Sequence, residues 1–324
     1  MTDLPSIEVA SLTVVRKDSS HNAFTDLVEF QGAYYLAFRT CPDGHGIFGT
    51  AGCVVMRSED GRSWRQVHAF AVAGRDTRDP HFLVFRDTLF VYTGTWLIPP
   101  AGRPLDLNHH LGYAVWTADG VQWHGPEPLE GTYGHYVWRA AAHGERAYLC
   151  CRRRRGYAAG SDAEDEPESI ESAMLVSHDG LVWSFHSRFA AAYGDETAFL
   201  FEADGSALGL VRGGEPAPAR IVRSAPPYVE WSPVALDRNV GGPLLVTWGA
   251  RYMVGGRQRA PGEEPATWLY WLDGNELRRA AELPSGGDCS YPGFVALDEN
   301  RGLLSYYSSH DGSTSIYLAE IGLS

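Results

Sequence analysis

Pairs of short apolar strands joined by a tight turn recur along the whole chain. Six such hairpins can be recognised, roughly 45 to 60 residues apart, and segments with a helical period are nearly absent. A repeat of this length indicates supersecondary units stacked side by side. The six hairpins are Phe24–Phe30 with Tyr34–Arg39, His81–Phe85 with Leu89–Thr95, Tyr136–Ala142 with Ala147–Arg152, Thr197–Phe201 with Ala207–Arg212, Leu244–Thr247 with Tyr252–Arg257, and Gly293–Leu297 with Leu303–Ser308.

A second repeat is a seven-residue string in which Asp-Gly is followed by Trp. The Asp side chain can accept hydrogen bonds from N–H groups of a turn, the Gly takes the positive φ, and the Trp packs below the turn. The string resembles the Asp-box of sialidases and related propellers, which lies at the outer edge of a blade. We therefore expect no catalytic role for its Asp residues. The three copies are Ser58–Trp64 with Asp60, Thr117–Trp123 with Asp119, and Ser177–Trp183 with Asp179.

The repeats predict an all-β fold, a six-bladed β-propeller of four-stranded antiparallel blades in one domain, residues 1–324. In the last blade, Ser315–Ile321 would be the third strand. The N-terminal strand Ile7–Val15 would join that blade and close the ring, so that no sheet edge stays open. The acidic stretch Gly160–Glu171, part of an insertion at about 156–171, is predicted to be a solvated loop.

Composition limits the function classes. A formal net charge of −13 is unsuited to nucleic-acid binding, which needs a basic stripe. No stretch has the roughly 18 apolar residues of a membrane helix, and the amino terminus lacks a signal-peptide pattern. The five cysteines show no disulfide or metal spacing, so we expect a reduced, cytoplasmic protein without a metal or an organic cofactor. The oligomeric state leaves no mark in the sequence.

The hairpins also predict where a site would lie. In a propeller the first strand of each blade lines the axis, and its start shares a rim with the end of the second strand. Four second strands end in Arg, and further polar or aromatic residues occupy the same rim. Because guanidinium groups present paired donors to carboxylate or phosphate, the rim predicts an anion-binding cavity. The predicted binding residues are Arg39, Arg78, His81, Trp96, Tyr136, Arg139, Arg152, Arg212, Arg257 and Asp288.

Several segments are similar to the sialidase superfamily, in particular to its bacterial members with BNR repeats. They are HNAFTDLVEF…YYLAFRT, GDETAFLFEADGSALGLVR, GGPLLV and GGDCSYPGFV…LLSYYSSHDGSTSIYLAEI, spread over almost the whole chain. The resemblance implies a Tyr nucleophile activated by a Glu, an Asp acid/base on a loop of blade one, and three Arg on the substrate carboxylate. Tyr291 matches the nucleophile, Glu196 its partner and Arg212 one of the arginines. The loop Cys41–Thr50 offers Asp43 or His45 as the acid/base.

One position departs from the sialidase pattern. Sialidases carry Arg-Ile-Pro in the first strand, and this chain has Ala23, Phe24 and Thr25 there. The first arginine of the triad is therefore missing, with Arg39 and Arg78 as its candidate replacements. We expect an acidic sugar as substrate, which need not be sialic acid.

Two other functions fit the same rim. A propeller resembling ulvan lyases would cleave a uronate-containing glycan by β-elimination, with Arg on the carboxylate and with His and Tyr moving protons. The histidines that suit this chemistry are His81, His109, His110 and His135, with Tyr136 as the tyrosine. A propeller that binds glycans without catalysis is the third possibility. We expect an exo-acting glycosidase, because long loops would close one end of the pocket.

Overall fold

The computed structural model describes residues 4–155, 167–213, 217–259 and 264–324. These residues form six four-stranded antiparallel sheets, which confirms the predicted propeller. Blades one to three are β2–β5, β6–β9 and β10–β13. Their strands are β2 His21–Phe30, β3 Ala33–Cys41, β4 Gly52–Ser58, β5 Arg65–Phe70, β6 Arg75–Phe85, β7 Thr88–Leu97, β8 Leu111–Thr117, β9 His124–Pro128, β10 Tyr136–His143, β11 Arg146–Arg154, β12 Ile170–Ser177 and β13 Ser184–Ala190.

Blades four to six complete the ring, and the N-terminal strand β1 belongs to blade six. The sheet order β22-β23-β24-β1 confirms that the chain closes the ring as predicted. The strands are β14 Gly194–Phe201, β15 Ala207–Gly213, β16 Arg220–Ser224, β17 Ser232–Ala235, β18 Gly241–Trp248, β19 Arg251–Gln258, β20 Ala266–Asp273, β21 Glu276–Glu282, β22 Cys289–Ala296, β23 Arg301–Ser308, β24 Ser315–Leu323 and β1 Ile7–Arg16.

The first strands of the six blades surround the axis. Each of β2, β6, β10, β14, β18 and β22 contacts the first strands of both neighbouring blades. The fourth strands lie at the outside, and the three Asp-Gly turns connect the third strand to the fourth. In the first of these turns, Oδ1 of Asp60 accepts from the N–H groups of Arg62 and Ser63, both at 2.8 Å. The turns therefore lie far from the axis and stabilise blade edges.

Every first strand carries a β-bulge at the same position. In β2, Ala23 pairs with Arg39 and Asp26 pairs with Ala37, so that two residues of β2 stand opposite one of β3. Such a bulge bends the strand and redirects its side chains. The bulged residues are Phe24 and Thr25, Asp79 and Pro80, Trp138 and Arg139, Asp195 and Glu196, Gly242 and Pro243, and Tyr291 and Pro292.

The acidic stretch predicted as a solvated loop is only partly described. Residues 156–166 lie outside the described ranges. Glu171, however, lies buried in β12, so the prediction of a solvated loop was wrong for this last residue of the stretch. Its carboxylate is 2.5 Å from Arg153 and 2.6 Å from Arg188, and two cations compensate for its burial. Among the described residues, no helix is long and apolar enough to cross a membrane.

Candidate active site

The bulges bring side chains of several blades together on the axis. Phe24, Asp79 and Tyr291 adopt left-handed backbone conformations with φ of 60°, 53° and 52°. This conformation is uncommon for residues other than glycine and often occurs at functional sites. At the equivalent position of blade five, a Cβ on Gly242 would lie 2.5 Å from the Tyr291 ring, so only glycine fits. We call the cluster of Phe24, Asp79, Glu196 and Tyr291 the axial site.

Tyr291 and Glu196 are directly hydrogen-bonded across the axis. The Tyr291 hydroxyl donates to Oε1 of Glu196, and both side chains are buried. Oε2 of Glu196 accepts from Nη1 of Arg212 at 2.8 Å and from the N–H of Gly242 at 3.1 Å. Burial and the nearby Glu196 raise the pKa of Tyr291 well above its usual value. The phenol is therefore neutral near pH 7 and has a carboxylate in place to take its proton.

Three further charged groups lie beside this pair. Nη1 of Arg152 is 2.5 Å from Asp195, and Nε of Arg212 is 3.5 Å from the same carboxylate. Among the described residues, the Nε atoms of both arginines are buried without a hydrogen-bond partner. Arg257 donates to the carbonyl of Cys289 at 3.1 Å, and no described carboxylate forms an ion pair with it. The half-buried Arg257 guanidinium therefore remains available to an anionic ligand.

Arg39 and Arg78 have other partners. Arg39 is fully buried, and its Nη2 lies 2.8 Å from Asp76 and 2.9 Å from the carbonyl of Gly46. Arg78 contacts the same carboxylate and the same carbonyl, both at 2.7 Å. Asp76 also accepts from the N–H of Phe48 at 2.7 Å. Both arginines thus hold the loop Cys41–Thr50, and Arg39 is placed where a substrate cannot reach it.

This loop brings His45 to the axis but leaves Asp43 apart from it. Nδ1 of His45 and Nε2 of His21 each lie 2.7 Å from Oδ2 of Asp288, and 3.2 Å from each other. We call these three residues the histidine–aspartate cluster. Burial alone would raise the pKa of Asp288, but hydrogen bonds from both histidines hold it well below its usual range. Asp43 instead accepts from Thr50 at 2.5 Å.

A second tyrosine–carboxylate pair was missed by the sequence reasoning, which proposed Tyr136 without its partner. The Tyr136 hydroxyl donates to Oδ2 of Asp79, and Arg152 lies 4.7 Å from the centre of the Tyr136 ring. Oδ1 of Asp79 is buried and lacks a partner among the described residues. Burial, and next the charge of Glu196, raise the pKa of Asp79 to about 6. The available signal in the sequence was the string RDP, which contains the bulged residues Asp79 and Pro80 of β6.

Two predicted binding residues, Arg139 and His81, lie further along the propeller axis than the axial site, toward its opposite end. Arg139 donates to the carbonyls of Pro243 at 3.0 Å and Pro292 at 2.7 Å, and to Asp26 at 3.1 Å. It lines a cavity of about 350 Å³ with residues from the later parts of the first strands, at the opposite end of the axis. His81 is buried 3.5 Å from Asp26. The structure therefore does not bring Arg139 or His81 to the predicted rim.

Trp96 lies at the side of the axial site. It is half-buried, with its ring centre 4.2 Å from that of His110. Both lie in the wall of a cavity of about 250 Å³ that Arg152 and Asp195 also line. His110 is buried, and burial lowers its pKa well below the usual value. Burial, together with Arg153, lowers the pKa of His135 to about 4.

Comparison of the sequence gives no match to a family model. It gives no match to a curated protein either. The structure, in contrast, resembles a protein of unknown function from Dyadobacter fermentans, with a TM-score of 0.81 and 19% identity over 99% of this chain and 100% of that chain. The sialidase of Trypanosoma rangeli in complex with sialic acid gives a TM-score of 0.70 and 12% identity over 98% of this chain and 59% of that chain.

A Hadza microbial sialidase is similar to the same degree, with a TM-score of 0.68 and 12% identity over 93% of this chain and 65% of that chain. The chain has a sialidase-like propeller fold. At these identities the likeness concerns the fold alone, and the chain spans less than two thirds of either sialidase. The chemistry of this chain therefore depends on the side chains that it places on the axis.

Proposed function

We propose that the protein is a glycan-active enzyme, an exo-glycosidase that removes a terminal acidic sugar with Tyr291 as nucleophile. The observation that carries this proposal is the hydrogen bond from the buried Tyr291 hydroxyl to Glu196. A phenol is a weak nucleophile at its ordinary pKa and needs an adjacent base. Glu196 has that position, and the resemblance of the fold to sialidase propellers is consistent with the same chemistry.

The proposed first step transfers the sugar to the enzyme. The Tyr291 oxygen attacks the anomeric carbon, its proton passes to Glu196, and the bond to the leaving group breaks. A water molecule then attacks the same carbon, and the Tyr291 oxygen leaves and recovers its proton. A neutral phenol suits an anomeric carbon that bears a carboxylate, because a carboxylate nucleophile would be repelled by the substrate.

The substrate carboxylate would bind to the arginines beside the nucleophile. Arg257 forms no ion pair with a described carboxylate, and the Arg212 side chain, which pairs with Glu196 and Asp195, remains 23% exposed. Ala23, which stands at the position of the missing arginine, is fully buried and contributes no donor. Two arginines rather than three would therefore hold the carboxylate, which leaves the identity of the acidic sugar open.

Elimination at a uronate-containing glycan is the second candidate. One observation favours it, since Tyr136 pairs with Asp79 beside Arg152 and could move a proton next to a bound carboxylate. Three of the four histidines proposed for elimination are less suitable, because His81, His110 and His135 are buried, whereas His109 is exposed. Glycan binding without catalysis would use the same arginines.

The test is a panel of sialosides and uronate oligosaccharides incubated with the protein, with assays for free sugar and for the ultraviolet absorbance of an unsaturated product. Hydrolysis predicts free sugar that is lost in Tyr291→Phe and Glu196→Gln. Unsaturated product that is lost in Tyr136→Phe would support the lyase instead. Binding without any product would support the non-catalytic function.

A further inference from the structure

We propose that His45, oriented by Asp288, is the catalytic acid/base of the proposed hydrolysis. The inference rests on the proposed function and names the group that protonates the leaving oxygen and later activates water. His45 lies on the loop Cys41–Thr50, and its side chain is 58% exposed, whereas Asp288 is 27% exposed. An accessible imidazole held by a carboxylate is the arrangement that orients a general base in many hydrolases.

The hydrogen-bond partners fix the proton positions in the histidine–aspartate cluster. A guanidinium group can only donate, and Nη1 of Arg39 lies 3.3 Å from Nδ1 of His21. Nδ1 of His21 must therefore accept, and its Nε2 carries the proton that points to Asp288. Oδ2 of Asp288 then also accepts the Nδ1 proton of His45, while its Oδ1 accepts from Tyr307 at 2.9 Å. Nε2 of His45 is left for the substrate.

Two buried arginines hold the loop backbone on both sides of His45. Arg39 donates to the carbonyl of Gly44 at 3.1 Å, and Arg39 and Arg78 both donate to that of Gly46. Asp76 joins the two guanidinium groups. Carbonyls on either side of His45 are thus fixed by buried charged groups, which restricts the position of the imidazole. The sequence prediction that these arginines bind the substrate is replaced by a positioning role.

The position of His45 relative to the nucleophile suits the role. The ring centre of Phe24 lies 5.8 Å from that of His45 and 4.8 Å from that of Tyr291. Phe24 thus packs against both the His45 ring and the Tyr291 ring. Asp43, the other acid/base candidate, accepts a hydrogen bond from Thr50 of the same loop instead.

The proton balance of both steps is complete with these groups. In the first step, protonated His45 gives its Nε2 proton to the glycosidic oxygen as that bond breaks, while the Tyr291 proton moves to Glu196. In the second step, neutral His45 takes a proton from the attacking water, and Glu196 returns its proton to the Tyr291 oxygen as the sugar leaves. The sum is the hydrolysis of one glycosidic bond.

A metal ion is the rival explanation for the cluster, because one nitrogen of each histidine and one oxygen of Asp288 lie within 4.8 Å of one another. Binding a metal would require a lone pair on Nε2 of His21 and a proton on its Nδ1. That proton would point at the donating Arg39, whereas a metal-bound histidine normally gives its second N–H to an acceptor. The hydrogen-bonded dyad accounts for the contacts without this conflict.

The test compares His45→Gln with the wild-type enzyme on two glycosides of the hydrolysed sugar, one with an activated nitrophenol and one with an alkyl alcohol as leaving group. General acid catalysis contributes about 10²- to 10⁴-fold, but only where the leaving oxygen needs a proton. We expect that loss in kcat/KM on the alkyl glycoside, and a loss below about tenfold on the nitrophenyl glycoside. His124→Gln, on the exposed outer strand β9, is the matched control and should leave both rates unchanged.

Two further variants separate the alternatives. Asp288→Asn should alter the pH profile of kcat, because Asp288 acts through His45, whereas a merely structural role would lower the rate at all pH values alike. Equal losses on both glycosides in His45→Gln, the leaving-group effect in Asp43→Asn instead, or activity that chelation removes and zinc restores would overturn the proposal. A wild-type enzyme that is inactive on every glycoside would instead refute the hydrolase function and the inference with it.

Discussion

The hydroxyl of Tyr291 in blade six donates to the carboxylate of Glu196 in blade four, across the axis of the propeller. Both residues lie in β-bulges of first strands, and one oxygen of Glu196 remains bonded to Arg212. Besides bending the strands, the bulges orient two side chains from distant parts of the chain so that a buried phenol is hydrogen-bonded to a base.

Replacement of Tyr291 by Phe, or of Glu196 by Gln, should lower kcat/KM by at least about 10³-fold, because either change removes part of one nucleophilic unit. Tyr252→Phe is the matched control, since Tyr252 also donates to a glutamate, Glu202, at the opposite rim. Circular dichroism would confirm that the variants fold. Full activity in Tyr291→Phe would contradict the assignment.

Arg257→Gln should raise KM by about 10- to 100-fold with a smaller effect on kcat, because a charge-assisted hydrogen bond to the substrate carboxylate is lost. The variant and the wild-type enzyme should have similar rates on a substrate whose carboxylate is converted to an amide. Arg223→Gln, whose guanidinium contacts Asn275 and Gly274 on the outside, serves as the control. An unchanged KM in Arg257→Gln would show that the carboxylate binds elsewhere.

Asp79 should make stability depend on pH. Its pKa is about 6 in the folded protein, above the value of about 3.9 in an unfolded chain. The native state then binds more protons between these values, so this contribution is complete below about pH 4 and is lost as the pH rises through 6.

In Asp79→Asn the free energy of unfolding relative to wild type should therefore rise from pH 4 to pH 8, by an amount on the order of 3 kcal/mol. Urea unfolding at the two pH values measures it, and the exposed Asp273→Asn is the control. A constant difference between Asp79→Asn and wild type would mean that Asp79 is ionised throughout this range.

Arg139→Met should destabilise the fold by about 3–5 kcal/mol, because it leaves Asp26 as a buried charge without its ion pair. The double variant Arg139→Met with Asp26→Asn should recover much of the loss, which urea unfolding can measure. A stable single variant with a raised KM would instead indicate that Arg139 binds the substrate.

The sequence predicted the six blades and the ring closure because the hairpins and the Asp-Gly turns are local and repeat at a fixed spacing. It could not show which of the four arginines at the ends of second strands pair with carboxylates of the protein and which are left for a substrate. Arg39 and Arg152 pair with Asp76 and Asp195 of the following blade, and Arg212 pairs with Glu196 of its own. The two pairings between blades join positions that lie close only once neighbouring blades pack together, whereas the Arg212–Glu196 pair lies within one hairpin.

The role of Asp79 was missed for a related reason. A bulge shifts the side-chain alternation by one residue, and the sequence shows neither the shift nor the side to which a bulged residue then points. His45 and Asp288 were both predicted as site residues, but their contact depends on the fold of the loop Cys41–Thr50 over the last blade.

The covalent step at Tyr291 is the central claim and can be measured directly. A fluorinated analogue of the hydrolysed sugar with fluoride as leaving group should form a slowly hydrolysed adduct, which intact-mass and peptide mass spectrometry detect. We predict one adduct per chain, on the peptide that contains Tyr291, and none in Tyr291→Phe. Turnover of the natural glycoside with an adduct on another residue, or with none, would contradict it.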